Sequence, residues 1–508
     1  MVSLKFSSPL IHPYLFAIFP IIFIFSNNFE FVNIIDLVFP ILLITGLLSV
    51  IIFLGIKLLK INSKFSIVLS VVIVMFFFYG HFYQFLDYIN FQLSNTILIS
   101  IFVIILLSLS LFIIKIKSNF NDISKILNYV ALTILLISFV NFLSFDLENS
   151  SLENYSIVDN YSMVDNLENN ISPNVIYIIL DAYGGNDALK KFYNFDNSDF
   201  IQELEKREFT IIPESRSNYA YTYLSLASTL NLDYHMINDN DDSNNYLKMY
   251  QAISKNIVME NFKNLGYHVI NFDSGWGTTR EMQSADETLC NSMNSIGNSQ
   301  IITSILEYSI LKPVYSKIFS QDRREQVLCQ FDGIPEVIKK SDKPIFIFAH
   351  IVSPHKPYLF KANGESNEVS SLEMGEINYS IRNFDYIEQL QFVNMKTLTL
   401  IDEIFTNSKI PPIIIIQSDH GSEYPVNSSL DEKIEEKMSN FNSFYLPNGG
   451  ESILYDEMTS VNSFRLIFNH YFGGKYEILD DRSFWSDSNP FQNEPPFFID
   501  VTEKLSRK

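Results

Sequence analysis

Cysteine, tryptophan and basic charge are scarce in this chain, and each scarcity narrows what it can be. There are two cysteines and two tryptophans in 508 residues. Cys290 and Cys329 both lie in the second part of the chain. They allow one disulfide at most, and only in an oxidising compartment. Sequence separation does not give their geometry, so a bridge and two buried thiols both stay open. Lysine and arginine total 36 against 57 acidic residues, for a net charge of -21. Binding a nucleic-acid backbone needs basic surface, so the sequence speaks against nucleic acid as a partner. Collagen-like, heptad and solenoid repeats are absent from the sequence. No small-residue cleavage site follows the first apolar run, which sets it apart from a signal peptide.

Apolar residues make up 47% of the chain, unevenly spread. The first third is almost continuously hydrophobic. A membrane-spanning helix needs roughly 20 apolar residues. Five runs meet that need: about 9–26, 34–56, 65–86, 96–114 and 126–145. Lysine-bearing loops alternate with loops that carry only acids. Lys5 precedes the first run. Lys57, Lys60 and Lys64 follow the second, and Lys115, Lys117 and Lys125 follow the fourth. Glu30 and Asp36, Asp87, and Asp146 with Glu148 mark the other loops. The positive-inside rule places the amino terminus in the cytoplasm and everything after about 145 outside. His81, in or near the third span, reads as interfacial. The domain plan is a five-helix membrane domain at 1–145, a polar linker at 146–171 and an extracytoplasmic domain at 172–508.

Beyond 172, apolar runs alternate with helical patterns. Val175–Leu180, His268–Phe272, Pro344–Ala349 and Ile413–Ile416 read as buried strands. Asp199–Arg207, capped by Ser198, Asn256–Leu265 and Tyr386–Phe405 read as helices. The expected fold is therefore an α-helical membrane domain followed by an α/β domain, a mostly parallel sheet sandwiched by helices. The stretch 280–340 is less regular, with a helical run around 300–319, and reads as an insertion near a site mouth.

Ligand chemistry collects at the ends of these strands, where open α/β sheets place their sites. Asp181 follows the first strand, either as a ligand or as a helix cap. Asp419-His420-Gly421 follows the last. His350 and His355 follow a third, in His-Ile-Val-Ser-Pro-His-Lys-Pro-Tyr. Carboxylate and imidazole together are the donors of a divalent-metal site. The fourth piece is Ser217-Asn218-Tyr219-Ala220-Tyr221-Thr222, whose small and hydroxyl residues lead into a helix. A hydroxyl there can be an N-cap. It can also be a nucleophile at a helix end that favours anions. Ser225 is the nearest competitor.

These four pieces, in this order, resemble the alkaline phosphatase superfamily. More narrowly they resemble sulfatase-like membrane proteins such as lipoteichoic acid synthases and phosphoethanolamine transferases, along essentially the whole chain. The tail from Val461 through Arg465 to His470 fits a sulfatase-like branch too. The resemblance implies that Asp181, Thr222, Asp419 and His420 hold one divalent metal: zinc or manganese first, then magnesium or calcium. It implies that Thr222 is the nucleophile, that His355 binds phosphate or assists the leaving group, and that His350 helps. It implies a phosphoryl-type transferase or hydrolase acting on a membrane lipid or envelope glycan. A sulfuric-ester hydrolase or phosphodiesterase is the alternative, and an inactive scaffold in envelope assembly is the alternative of another class. Three departures stand out. No cysteine lies near Thr222, and Ser217, Ser225 and Ser228 lack the Pro and Arg that accompany formylglycine formation. Ala182 occupies the place of a second aspartate. A second metal has no complete ligand set, with Glu423 and His235 as weak contributors.

Overall fold

The computed structural model describes residues 11–26, 34–59, 63–89, 91, 93–117, 120–149, 172–234, 245–291, 300–367, 379–423, 428–486 and 498–506. His235 and most of the expected linker lie outside the described residues. Two compact units emerge. One comprises Met1–Asn154 with Met293–Gln321, the other Tyr155–Ser292 with Asp322–Lys508.

The first is a membrane unit. Its amino-terminal helices are α1 (Ile11–Ser26), α2 (Val38–Leu59), α3 (Ser63–Tyr88), α4 (Asn95–Lys115) and α5 (Asn121–Asn149). Apolar runs of this length become helices in lipid because a helix satisfies its own backbone hydrogen bonds. Among the described residues, four stretches are long and apolar enough to cross a bilayer: Ile35–Gly55, Ser63–Leu86, Asn95–Lys115 and Asn121–Val140. The expected first span is helical over 16 described residues and is shorter than these. Helix α1 packs on α5 and α3. It does so partly through polar groups. The His12 backbone N–H donates to Asn128 Oδ1 at 2.9 Å, and His12 Nδ1 lies 2.6 Å from Ser70 Oγ. The helix Gln300–Tyr308 and the first residues of the helix Lys312–Lys340 also belong to this unit.

The second unit is built on a sheet. Its strands are β1 (Val175–Leu180), β2 (Thr210–Ile211), β3 (His268–Phe272), β4 (Glu287–Leu289), β5 (Ile345–Ile351), β6 (Ile413–Gln417) and β7 (Asn442–Tyr445). Their spatial order is β2-β7-β6-β1-β5-β3-β4. The five strands from β6 to β4 run parallel, and β7 and β2 add an antiparallel edge. Side chains alternate across a strand. Val175, Tyr177 and Ile179 therefore join one apolar core, while Ile176, Ile178 and Leu180 join the other. Both faces are covered, which is why β1 reads as an unbroken apolar run. A short pair, β8 (Phe484–Trp485) and β9 (Ile499–Asp500), stands apart.

The expected strands are present, and β5 runs two residues further than read. It ends at Ile351, so His350 lies inside the strand, paired with Ile179. Strand β7 escaped the sequence reading because it is short and two of its three buried residues, Asn442 and Ser443, are polar. Gln417 Nε2 donates to Asn442 Oδ1 at 2.8 Å, and Ser443 Oγ donates to the Ile416 carbonyl at 3.1 Å. Ser198 is not the cap it was read as; it opens the helix Ser198–Glu205, and Asn197 precedes it. The Asn197 side chain is engaged elsewhere, with Tyr183 and Asn394. Cys290 and Cys329 are joined, with their Cα atoms 5.8 Å apart.

Candidate active site

Strand register brings the site together. In the parallel pairing of β1 with β6, Ile179 faces Gln417. Two residues on, Asp181 and Asp419 leave their strands side by side. The Asp181 backbone N–H donates to the Ile351 carbonyl at 3.0 Å, which holds the end of β5 beside them. Ala182 turns the chain with a positive φ of 60°, and its N–H donates to Asp419 Oδ1 at 3.1 Å. Tyr183 N–H donates to Ser418 Oγ at 2.8 Å. The two strand ends are thus stitched through backbone and carboxylate.

Asp181, Asp419 and His420 each offer one ligand atom, and these atoms lie within 4.8 Å of one another. All three residues are buried. Asp181 Oδ1 and Asp419 Oδ2 have no hydrogen-bond partner. Buried carboxylate oxygens in that state are costly unless paired or bound to a cation. His420 Nδ1 lies 2.9 Å from the Gly421 carbonyl. A carbonyl only accepts, so Nδ1 carries the proton and Nε2 presents a lone pair. A ligating histidine is held in this way. The residues therefore fit a divalent cation.

Thr222 Oγ1 lies 3.2 Å from His420 Nε2. Thr222 is the first residue of the helix Thr222–Asn231, and Tyr221 is its N-cap. The capping reading of Thr222 therefore fails: its hydroxyl reaches His420 rather than a backbone N–H of its own helix. Ser225 is buried and its hydroxyl donates to the Tyr219 carbonyl at 3.0 Å. Ser228 donates to the Asp233 carbonyl at 2.8 Å. Asn218 is structural, held by Thr459, Val461 and Arg482. Arg465 in the tail donates to the carbonyls of Leu232 and Glu477.

The two histidines of the third strand end differ. His350 is fully buried, with Nε2 3.3 Å from Asp181 Oδ2 and Nδ1 2.9 Å from Thr279 Oγ1. His355 is partly exposed, with Nε2 3.3 Å from Glu423 Oε1. Its backbone N–H donates to the Asp181 carbonyl at 3.0 Å. Burial works against charge on His355, but Asp181 and Glu423 outweigh it and raise its pKa to about 9. Burial likewise pushes Asp181 up, and His355, His350 and His420 together bring it well below the usual carboxylate range. His420 is lowered by burial. Glu423, read as a weak contributor to a second metal, pairs instead with His355 and with Lys356 at 2.8 Å.

Two residues escaped the sequence reading. Thr279 orients His350 from a short turn with no motif around it. Lys437 is buried near the end of the helix Leu430–Met438. Burial lowers its pKa, while Glu423, Asp419 and Asp181 act to raise it, which puts a cation beside the three acids. Gly421 was the available signal. A Cβ there would sit 2.1 Å from the Glu436 carbonyl and 3.0 Å from that of Lys437. Only glycine lets that helix end approach the Asp-His pair.

Solved structures of similar fold include the periplasmic domain of EcEptC from Escherichia coli. It shares 12% identity over 66% of this chain and 94% of its own, with a TM-score of 0.43. The same domain in complex with Zn matches at 13% identity over 66% and 94%, with a TM-score of 0.43. The integral membrane lipooligosaccharide phosphoethanolamine transferase A from Neisseria meningitidis matches at 14% identity over 88% of this chain and 94% of its own, with a TM-score of 0.40. No curated protein matches the sequence significantly. Residues 173–466 match the family model described as Sulfatase. That stretch exceeds half of the chain and runs from the threshold of β1 past all three strand-end motifs, so this protein belongs to the Sulfatase family.

Proposed function

We propose that this protein is a membrane-anchored, metal-dependent transferase or hydrolase of phosphoryl-type groups, working through a covalent intermediate on Thr222. One observation carries the reading: the Thr222 hydroxyl meets His420 Nε2 at 3.2 Å, beside two buried carboxylates that each keep an oxygen without a hydrogen-bond partner. Asp181, Asp419, His420 and Thr222 would hold the metal, with zinc or manganese favoured by the donor set over magnesium or calcium. The cation would lower the pKa of the Thr222 hydroxyl so that it is held as an alkoxide.

Thr222 Oγ attacks phosphorus, and the bond to the leaving oxygen breaks. The His355 imidazolium gives that oxygen its proton. In the second half-reaction the acceptor hydroxyl, or water, loses its proton to neutral His355 and attacks phosphorus. Thr222 Oγ then leaves as it began. His350 holds Asp181 in place. Lys437 and the amino end of the Thr222 helix favour the anionic group.

Membrane anchorage makes a lipid or cell-envelope glycan the substrate class, with the sheet unit outside the cytoplasmic membrane. Five spans and a cytoplasmic amino terminus follow from the lysine pattern of the loops. Reporter fusions at positions 60 and 160 should give opposite signals; matching signals would refute that topology. Sulfate-ester hydrolysis through a formylglycine made from cysteine is disfavoured, because both cysteines are committed to one disulfide. The direct test is mass spectrometry of Thr222 after exposure of the metal-loaded protein to total membrane lipids. An adduct on Thr222 reports the transferred group by its mass. An adduct on another residue, or metal-loaded protein that turns over with Thr222→Ala, sinks the proposal.

A further inference from the structure

In sequence, residues around 300–319 read as a helical run inside the less regular stretch 280–340 of the second domain. They are too short and too mixed to span a bilayer, since apolar runs of about 10–14 residues are core, re-entrant or interfacial segments. In the structure they are part of the membrane unit. The helix Gln300–Tyr308 sends Ile301, fully buried, into the cluster of Ile21, Phe25 and Leu37. Ile305 packs against the cluster of Ala17, Leu48 and Phe77, and Ile310 against that of Tyr79, Leu86, Leu98 and Phe102. One segment therefore packs on α1 and α3 and joins clusters to which α2 and α4 also contribute.

The contact with α3 is close and specific. The Ile310 N–H donates to the Phe76 carbonyl at 2.9 Å. A Cβ on Gly80 would lie 2.4 Å from Tyr308 Cα, so only glycine admits this backbone. The His81 ring stacks on Tyr308 at 4.5 Å, and Lys312 Nζ sits 4.2 Å from the Tyr83 ring centre. His81, without a role in the site, has one here. Under the loop topology proposed above, Phe25, Leu37, Leu86 and Leu98 all lie near the outer ends of their helices. The segment thus enters and leaves on that side.

After the turn, three apolar residues stay uncovered. Leu311, Val314 and Ile318 are 42%, 61% and 55% exposed. Their spacing puts them on one side of the helix that begins at Lys312. Those exposures fall in the range of exposed apolar residues on the spans, such as Val103 at 42% and Leu42 at 65%. The stripe belongs to the same compact unit as the spans, and an apolar face exposed on a unit of membrane helices belongs in acyl chains.

We propose that residues 300–318 are a second membrane anchor, a re-entrant segment whose Leu311, Val314 and Ile318 stripe lies in the lipid of the outer leaflet. The excursion begins and ends between Cys290 and Cys329, so the disulfide closes the loop that carries it. The inference rests on the membrane reading of α2 to α5. It does not depend on the chemistry at Thr222.

The test is quenching of an introduced tryptophan by brominated lipids, in full-length protein reconstituted into nanodiscs. Ile318→Trp probes the stripe, Val50→Trp a span, and Ile478→Trp, an exposed position of the sheet unit, serves as the water-exposed control away from lipid. The parent supplies the background of Trp276 and Trp485. Ile318→Trp should lose most of its added emission, as Val50→Trp does, while Ile478→Trp keeps its own. Quenching at Val50 but not at Ile318 overturns the inference alone, and cross-linking of Ile318 to a second copy would then show what covers the stripe. Absence of quenching at Val50 removes the membrane reading and this inference with it.

Discussion

Leu42 of α2 and Ile178 of β1 are both aliphatic, and they face opposite surroundings. Leu42 is 65% exposed and Ile178 is fully buried. The polar residues reverse the pattern within the membrane unit, where His12, Ser66, Ser70 and Asn128 are buried. One chain is written for two solvents. In water, apolar burial drives the sheet unit together. In lipid, apolar surface gains nothing by association, so helices meet through close packing and polar contacts. Buried polar groups accordingly mean different things in the two units. Around His12 they join helices. Around Asp181 they leave carboxylate oxygens without hydrogen-bond partners, with ligand atoms within 4.8 Å of one another, which is the arrangement of a site.

The sharpest test of that difference is Thr222→Ala. It should lower turnover of the donor identified by the adduct mass by about 10⁴-fold or more. Stability should move by less than about 0.5 kcal/mol, since the hydroxyl caps nothing. Thr222→Ser should keep part of the activity. Loss of activity in Ser225→Ala with full activity in Thr222→Ala would transfer the role.

Next is a matched pair of truncations. Ile178→Ala should cost about 2–5 kcal/mol in chemical denaturation, the usual cost of a cavity in a packed core. Leu42→Ala should leave stability within about 0.5 kcal/mol, because its side chain exchanges lipid for lipid. Equal costs at both positions would break the two-solvent comparison.

Asp419→Ala should take bound metal well below one equivalent by elemental analysis. Chelation of the parent should lower its melting temperature, since a cation bound only by the folded state adds about 2.7 kcal/mol at a hundred times its dissociation constant. A mutant that keeps full metal would remove Asp419 from the site.

A smaller effect concerns His355. In metal-free protein its imidazole should titrate near 9, followed by NMR, against an ordinary 6.5. A raised folded pKa contributes stability that is complete below about 6.5 and is lost as pH rises through about 9. Added metal should lower the value, because Asp181 then shares its charge with the cation. An unchanged value on metal addition would separate His355 from the centre.

The smallest effect is expected in the membrane unit. His12→Phe removes one interhelical hydrogen bond and should cost about 0.6 kcal/mol, with a ceiling near 1.7. Metal content should not change. Loss of metal in this variant would mean that the two polar clusters are linked.

Much of this protein was legible in the chain because its signals are local. Apolar length and lysine placement mark the helices, since lipid admits only self-satisfied backbone. The unbroken runs at β1, β5 and β6 mark a doubly covered sheet, and acids and imidazoles directly after them mark where its crevice lies. What the chain could not say depends on residues far apart. Asp181 and Asp419 are neighbours because Ile179 pairs with Gln417 across 238 positions of sequence, a matter of register. His350 is inside its strand, Lys437 is buried beside three acids, and Cys290 meets Cys329, all through packing that no short pattern encodes. Tertiary structure alone decided that Ile301, Ile305 and Ile310 belong with the membrane helices. Nine helical residues carry too little hydrophobicity to announce a membrane, and it is their packing on α1 and α3 that places them.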